Sequence, residues 1–443
     1  MITAVTVREY ARLTTQEVSE PTLDRAHISA SAFDWLCTLS ATFRRSGASL
    51  LQVEGRQWLK LDNYVGVIET PCGTRLEILP KHTDEGDCVL RSRELLSRMI
   101  STAMDLPVRV AHETSLQLFD APLSEWVIRQ FLISLDHLVK RGVRSDYVRI
   151  EASERYLRGQ LDVVRQMRQP PGRNHIFQIR HDVYVPDRPE NRLLKSALAL
   201  ASNRTLNPEN WRLAQELRSL FHEVPNSSDF ASDFRKWRTD RLMAHYQAIR
   251  PWCELILYRQ MPFSVVGEWH GISMLFPMEK LFERYVAATL RTMLHSQANL
   301  VTQASSLSLC VHEDKPMFQL QPDILVQQGH ERWVLDTKWK RINQHLKAKN
   351  YEISQSDFYQ MYAYGQKYLG GKGSLALIYP MHGSFSKALP AFHFNPDLSL
   401  WAIPFDLENQ RICFDRVHFP FVKRPTGMAS DSHDENLPEL ANQ

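Results

Sequence analysis

Asp323, Asp336 and Lys338 are the residues of this chain whose types and spacing suit hydrolytic chemistry. They lie in the stretch 318–341, FQLQPDILVQQGHERWVLDTKWKR, as Pro322-Asp323 followed by Asp336-Thr337-Lys338. Two carboxylates brought together form a hard-oxygen site for Mg²⁺ or Mn²⁺, ions that keep several of their waters. A cation held there lowers the pKa of a bound water and neutralises charge building on a phosphate. A lysine beside the acids orients or deprotonates that water. Without a cation the two acids would repel and one pKa would rise; Lys338 and a metal together relieve that conflict. The plain alternative is a surface hairpin with an ordinary Asp–Lys ion pair, which contributes little. A pattern this short takes its meaning from its context.

The stretch reads as a strand, a turn and a second strand. Side chains alternate along a strand, so Val334, Asp336 and Lys338 share one face while Leu335 and Thr337 take the other. The segment 327–331 contains Gly329 and suits a short hairpin connection. Folding back there sets Asp323 opposite Asp336, with cross-strand neighbours roughly 5 Å apart. Downstream, 354–369 predicts a helix, with Ser354 or Ser356 as its cap and Phe358, Met361, Tyr362 and Gly365 at helical spacing. Gln360 and Tyr364, four apart, share a face of it. A short apolar strand follows at 375–379. Upstream, 278–295 predicts an amphipathic helix with Glu279 and Glu283 on one face.

This order, with Pro322-Asp323, Asp336-Thr337-Lys338 and the Gln360/Tyr364 helix, resembles the PD-(D/E)xK nuclease superfamily in its QxxxY branch. Blocks outside the hairpin extend the likeness over most of the chain: Tyr64–Ile68, Leu76–Lys81, Leu157-Arg158-Gly159, Pro189–Lys195, Glu279–Glu283, Leu335–Lys340 and Tyr359–Tyr364. Together they resemble the McrC family, the nuclease subunit of the McrBC modification-dependent restriction system. The resemblance implies a metal-dependent endodeoxyribonuclease. Asp323 and Asp336 would hold the metal with the Thr337 backbone carbonyl as a further ligand, and Lys338 would position or activate the water. Glu283, Gln360 and Tyr364 would support them. The implied partners are modified double-stranded DNA and a McrB-like AAA+ GTPase ring whose GTPase the chain stimulates. GTP is then used by the partner. In that family a projecting segment enters the pore of the ring, and the loops of residues 50–82 are the expected docking segment here.

At 443 residues the chain is long enough for two to three domains, and 43% hydrophobic residues supply ample cores. The expected architecture is α+β and multidomain. It comprises a β-rich domain at 1–115, a mainly helical region at 116–262, an α/β nuclease domain at 263–423 and a disordered tail at 424–443. A net charge of +3 is low for a nucleic-acid-coating protein but permits DNA as a substrate delivered by a partner. The six cysteines form no CxxC pair or zinc pattern and suggest a reducing compartment. No signal peptide or apolar run of about 20 residues is visible, so a cytoplasmic protein is expected. Gly370-Gly371-Lys372-Gly373 fails the P-loop pattern, because glycine follows the lysine where Ser or Thr is needed. Asp187 is expected to cap the helix that begins near Glu190, with Arg192 and Lys195 pointing outward. Arg155, Arg158, Arg165, Arg168, Arg173 and Arg180 form a basic stretch, either a DNA- or partner-facing surface or ordinary solvated side chains.

Two rivals remain on sequence grounds. One is a non-catalytic assembly factor that only activates the GTPase. The other is a stand-alone exonuclease of the QxxxY type.

Overall fold

The computed structural model describes residues 3–45, 49–55, 57–81, 88–107, 122–257, 274–414 and 417–422. The expected 115/116 and 262/263 boundaries and the 424–443 tail lie outside these residues. Contacts divide the chain into two compact units, Met1–Tyr285 and Val286–Gln443. The whole is a mixed α/β architecture with several sheets. Among the described residues no helix is long and apolar enough to cross a membrane.

The first unit begins with β1 (Thr3–Arg8), β2 (Arg12–Thr14), β3 (Arg25–His27), α1 (Ala30–Arg45), β4 (Leu51–Glu54), β5 (Trp58–Leu61), β6 (Tyr64–Glu69) and β7 (Thr74–Leu79). They form a sheet ordered β3-β2-β5-β4 and another, β1-β7-β6, to which β11 (Met274–Pro277) is later added. Val7, Leu13, Leu36, Leu59, Ile68 and Ile78 bury into one core shared by both sheets and α1. Helix α2 spans Val89–Ala103.

The middle of the chain carries α3 (Leu123–Lys140), α4 (Pro189–Arg204) and α5 (Pro208–Leu220). Their apolar faces pack through residues such as Phe131, Leu135, Leu194, Leu198 and Leu217. Between α3 and α4 lies a three-stranded sheet: β8 (Asp146–Glu154), β9 (Gln160–Leu161) and β10 (Phe177–Val185), ordered β8-β10-β9. The nine-residue β10 was not anticipated. Phe177, Ile179, Val183 and Val185 alternate with Gln178, Arg180, Asp182 and Tyr184, and only His181 interrupts the apolar face. Asp187 does not cap α4. It grips the Arg192 guanidinium through two hydrogen bonds, one of them 2.8 Å long, so Arg192 is not simply outward.

Helix α6 (Met278–Met293) crosses the division between the units. The second unit is built on a sheet ordered β12-β15-β16-β17-β19-β18. Its strands are Asn299–Thr302 (β12), Ile324–Gln328 (β15), Glu331–Thr337 (β16), Gly373–Pro380 (β17), Phe392–Asn395 (β18) and Leu398–Asp406 (β19). Leu307–His312 (β13) and Lys315–Leu320 (β14) form a separate two-stranded hairpin. The first strand expected from Phe318 onward is therefore two strands, broken at Gln321–Asp323. Pro322 has no N–H to give a ladder, which explains the break. Helix α7 (Gln355–Tyr368) covers one face of the sheet, where Met361, Tyr364 and Tyr368 pack on Val334, Leu375, Leu377 and Tyr379. Gly365 permits this close seat: a Cβ there would lie 2.7 Å from a Leu398 methyl.

Candidate metal and phosphoryl-transfer site

The hairpin register sets the geometry. Ile324 pairs with Leu335 and Gln328 with Glu331, across a two-residue connection in which Gly329 takes φ +58°. Extending this register by one residue puts Asp323 opposite Asp336. β17 runs parallel to β16 with Val334 beside Leu375 and Asp336 beside Leu377. Directly paired residues share a face, so Asp336 points to the side covered by α7. The Lys338 N–H donates to the Ile378 carbonyl at 2.9 Å, which continues the ladder one step and sets Lys338 beside Tyr379.

Side-chain contacts then close the site. The Thr337 backbone N–H and hydroxyl both donate to Asp323 Oδ2, at 2.8 and 2.7 Å, and hold that carboxylate at the end of the strand. Lys338 Nζ lies 2.6 Å from Asp336 Oδ2 and donates to Gln360 Oε1 at 3.1 Å. Gln360 Nε2 donates to the Tyr364 hydroxyl at 2.8 Å, and that hydroxyl donates to the Gln321 carbonyl at 3.1 Å. The QxxxY helix is thus tied both to the lysine and to the backbone just before Pro322-Asp323. Asp323, Asp336, Lys338, Gln360 and Tyr364 converge within the second unit. Glu283 belongs to the first unit, where it is buried and pairs with Lys280 at 2.9 Å. Ser354 occupies the α7 cap position without capping; its hydroxyl bonds that of Ser356 instead.

Two residues that the sequence reading did not single out belong here. Asp357, 5% exposed, lies in the first turn of α7, with its carboxylate 3.9 Å from Lys338 Nζ and 3.3 Å from Lys340 Nζ. Its position three residues before Gln360 puts it on the same helix face, a signal present in the sequence. Tyr379 is fully buried, and its hydroxyl makes no hydrogen bond. Only the β16–β17 register reveals that it neighbours Lys338.

The electrostatics follow from this crowding. Burial disfavours the Lys338 ammonium, but the charge and hydrogen bond of Asp336, with Asp357 and Asp323, outweigh it and raise its pKa. Burial, together with the charges of Asp336 and Asp323, pushes the Tyr364 hydroxyl up to about 12, so it stays a donor. Burial and then the Asp357 and Asp336 charges also raise Tyr379.

These residues fit a divalent cation. Three carboxylates, Asp323, Asp336 and Asp357, crowd around Lys338, and Asp357 also pairs with Lys340. The buried Tyr379 hydroxyl adds unused polar capacity next to them. Among the described residues no three His, Cys, Asp or Glu side chains form a full metal cage. Asp323 and Asp336 would therefore share the ion with waters and a backbone oxygen, which suits Mg²⁺ rather than a dedicated all-protein site.

Comparison with known proteins places the chain in a family and a fold. A family model described as McrBC 5-methylcytosine restriction system component matches residues 59–380. No curated protein matches. Among solved structures, the chain resembles one described as a refined half-complex from a tetradecameric assembly of Thermococcus gammatolerans McrB AAA+ hexamers with bound McrC. That likeness has a TM-score of 0.70 at 20% identity and covers 91% of this chain and 95% of the other. It also resembles a chain of the Thermococcus gammatolerans McrBC complex, with a TM-score of 0.51 at 21% identity over 65% of this chain and 87% of that one. At these identities the structures speak for the fold, while the family match spans well over half of the sequence. The chain belongs to the McrBC 5-methylcytosine restriction system component family.

Proposed function

We propose that this chain is the DNA-cutting subunit of a McrBC-type, modification-dependent restriction system: a cytoplasmic, Mg²⁺-dependent endodeoxyribonuclease. It would cleave modified double-stranded DNA together with a McrB-like AAA+ GTPase ring, whose GTP turnover it stimulates. The observation that carries this reading is the convergence of Asp323, Asp336 and Lys338 on the helix that bears Gln360 and Tyr364.

Asp323, Asp336 and the Thr337 carbonyl are the proposed metal ligands; a cation held there would supply an acidified water and charge neutralisation at the phosphate. Thr337 orients Asp323 through its N–H and hydroxyl. Lys338 positions or activates that water. Asp336 and Gln360 take two of its three N–H groups, leaving the third for a phosphate oxygen or the attacking water. Gln360 is fixed in turn by Tyr364. Asp357 holds Lys338 and Lys340 from below the helix start. Glu283 is the proposed supporting acid from α6.

The docking element must project from the body. Strands β6 and β7 are buried along their whole length, which leaves little of residues 64–79 to project. The β8–β10 arm suits the role better. Tyr147, Tyr156, Leu157, Met167 and Tyr184 are exposed on it. Of its arginines, Arg165 and Arg180 are engaged by Glu151. We assign ring docking to this arm.

The test is cleavage of methylated, covalently closed DNA with the GTPase partner, GTP and Mg²⁺. The wild-type chain should cut and Asp336→Ala should not, while both stimulate the GTPase. Cutting retained in Asp336→Ala would remove the site.

A further inference from the structure

A second charged feature lies on the same sheet as the metal site, at the opposite ends of the strands. A cleft of about 830 Å³ opens where the β15–β16 hairpin turns and where α7 ends. Its rim carries Arg332, Lys367 and Lys372, together with His330 and His418; Glu331 is the lone acid in its lining. All six side chains are exposed. Arg332 and Lys367 have no ion-pair partner among the described residues. Lys372 reaches Asp397 at 3.4 Å, but both side chains are largely in solvent and the pair is weak. The chain as a whole carries only +3, so this local excess is not a consequence of overall composition.

The placement is the informative part. Arg332 and Asp336 are four residues apart on β16 and so share a face. At about 3.3 Å per residue, the Cα atoms of Arg332 and Asp336 are roughly 13 Å apart along the strand. That distance is about four base-pair rises of a duplex. Lys367 sits on α7 two turns beyond Gln360, which binds Lys338. The same strand and the same helix therefore present a metal site at one end and unpaired cations at the other.

We propose that this cleft binds the sugar-phosphate backbone of the DNA flanking the cleaved phosphodiester, with Arg332, Lys367 and Lys372 as the phosphate contacts. The proposal rests on the DNA-cutting reading and names where this chain itself grips its substrate. The contacts are backbone contacts, which position the duplex without reading its sequence.

The experiment measures binding of the full-length chain to a labelled 30-base-pair duplex as salt is raised, with no divalent metal so that nothing is cut. Each neutralised phosphate contributes about −0.9 to the slope of log K against log salt. The R332Q/K367Q/K372Q variant should lose about 2.7 from the slope, so that going from 50 to 200 mM salt costs it roughly 40-fold less affinity than wild type. R332K/K367R/K372R, which keeps the charges, should restore the wild-type slope. An unchanged slope in the glutamine variant, or no salt-dependent binding by wild type, overturns the cleft. The nuclease reading is judged separately, by whether wild type cuts DNA in the presence of partner and Asp336→Ala does not.

Discussion

Two buried charge networks in this protein have opposite characters. In the first unit Glu125, 4% exposed, is closed on all sides. Oε1 accepts from the Leu206 N–H at 2.7 Å and from Arg75 at 3.5 Å, and Oε2 accepts from the Thr205 hydroxyl at 2.6 Å and Asn210 at 3.1 Å. One carboxylate thereby ties β7, α3, the end of α4 and α5 together. In the second unit three carboxylates crowd around Lys338, and the buried Tyr379 hydroxyl nearby has no hydrogen bond. A carboxylate whose oxygens are all satisfied serves the fold. Crowded acids beside an unused buried hydroxyl suit something that is added to them.

The largest expected effect breaks the open network. Asp336→Ala or Lys338→Ala should lower DNA cleavage by on the order of 10³-fold, because each removes charge placed at the reacting phosphate. Thermal melting should change little for Asp336→Ala, since one of several crowded carboxylates has gone. Breaking the closed network should do the reverse. Glu125→Ala strands the buried Arg75 charge and should cost about 3–5 kcal/mol in urea unfolding; a loss below about 1 kcal/mol would erase the contrast. Asp357→Asn keeps the shape of the side chain but removes its charge. It should reduce cleavage by about 10–100-fold with the fold intact, as losses behind a metal site do. Tyr379→Phe sharpens the comparison with the smallest effect: stability should change by less than about 1 kcal/mol, because no hydrogen bond is lost. A penalty above about 2 kcal/mol would show that the hydroxyl is engaged and the network closed.

Much of the second unit was legible because its signals are local. Gly329 between two apolar alternations dictates the hairpin, and the hairpin register alone brings Asp323 opposite Asp336. Gln360 and Tyr364 share a helix face by spacing. The break at Pro322 was less visible, since the apolar residues Met317 and Phe318 continue the strand pattern although they lie in an exposed hairpin. β10 carries a period-two signal in Phe177, Ile179, Val183 and Val185, interrupted at His181, so it was legible in principle. Glu125 carried no sign of its role, because its partners come from residues 75, 205, 206 and 210.

By itself, then, the sequence determined the hairpin, the QxxxY helix and the identity of the chemical groups, since these depend on side-chain period and on turns a few residues long. Only the tertiary structure decided that Tyr379 joins Lys338, that the arginines near 155–180 are mostly exposed and that Arg332, Lys367 and Lys372 gather at one rim. Those groupings arise from strand order and helix seating. Both depend on packing between segments far apart in the chain, which no local pattern encodes.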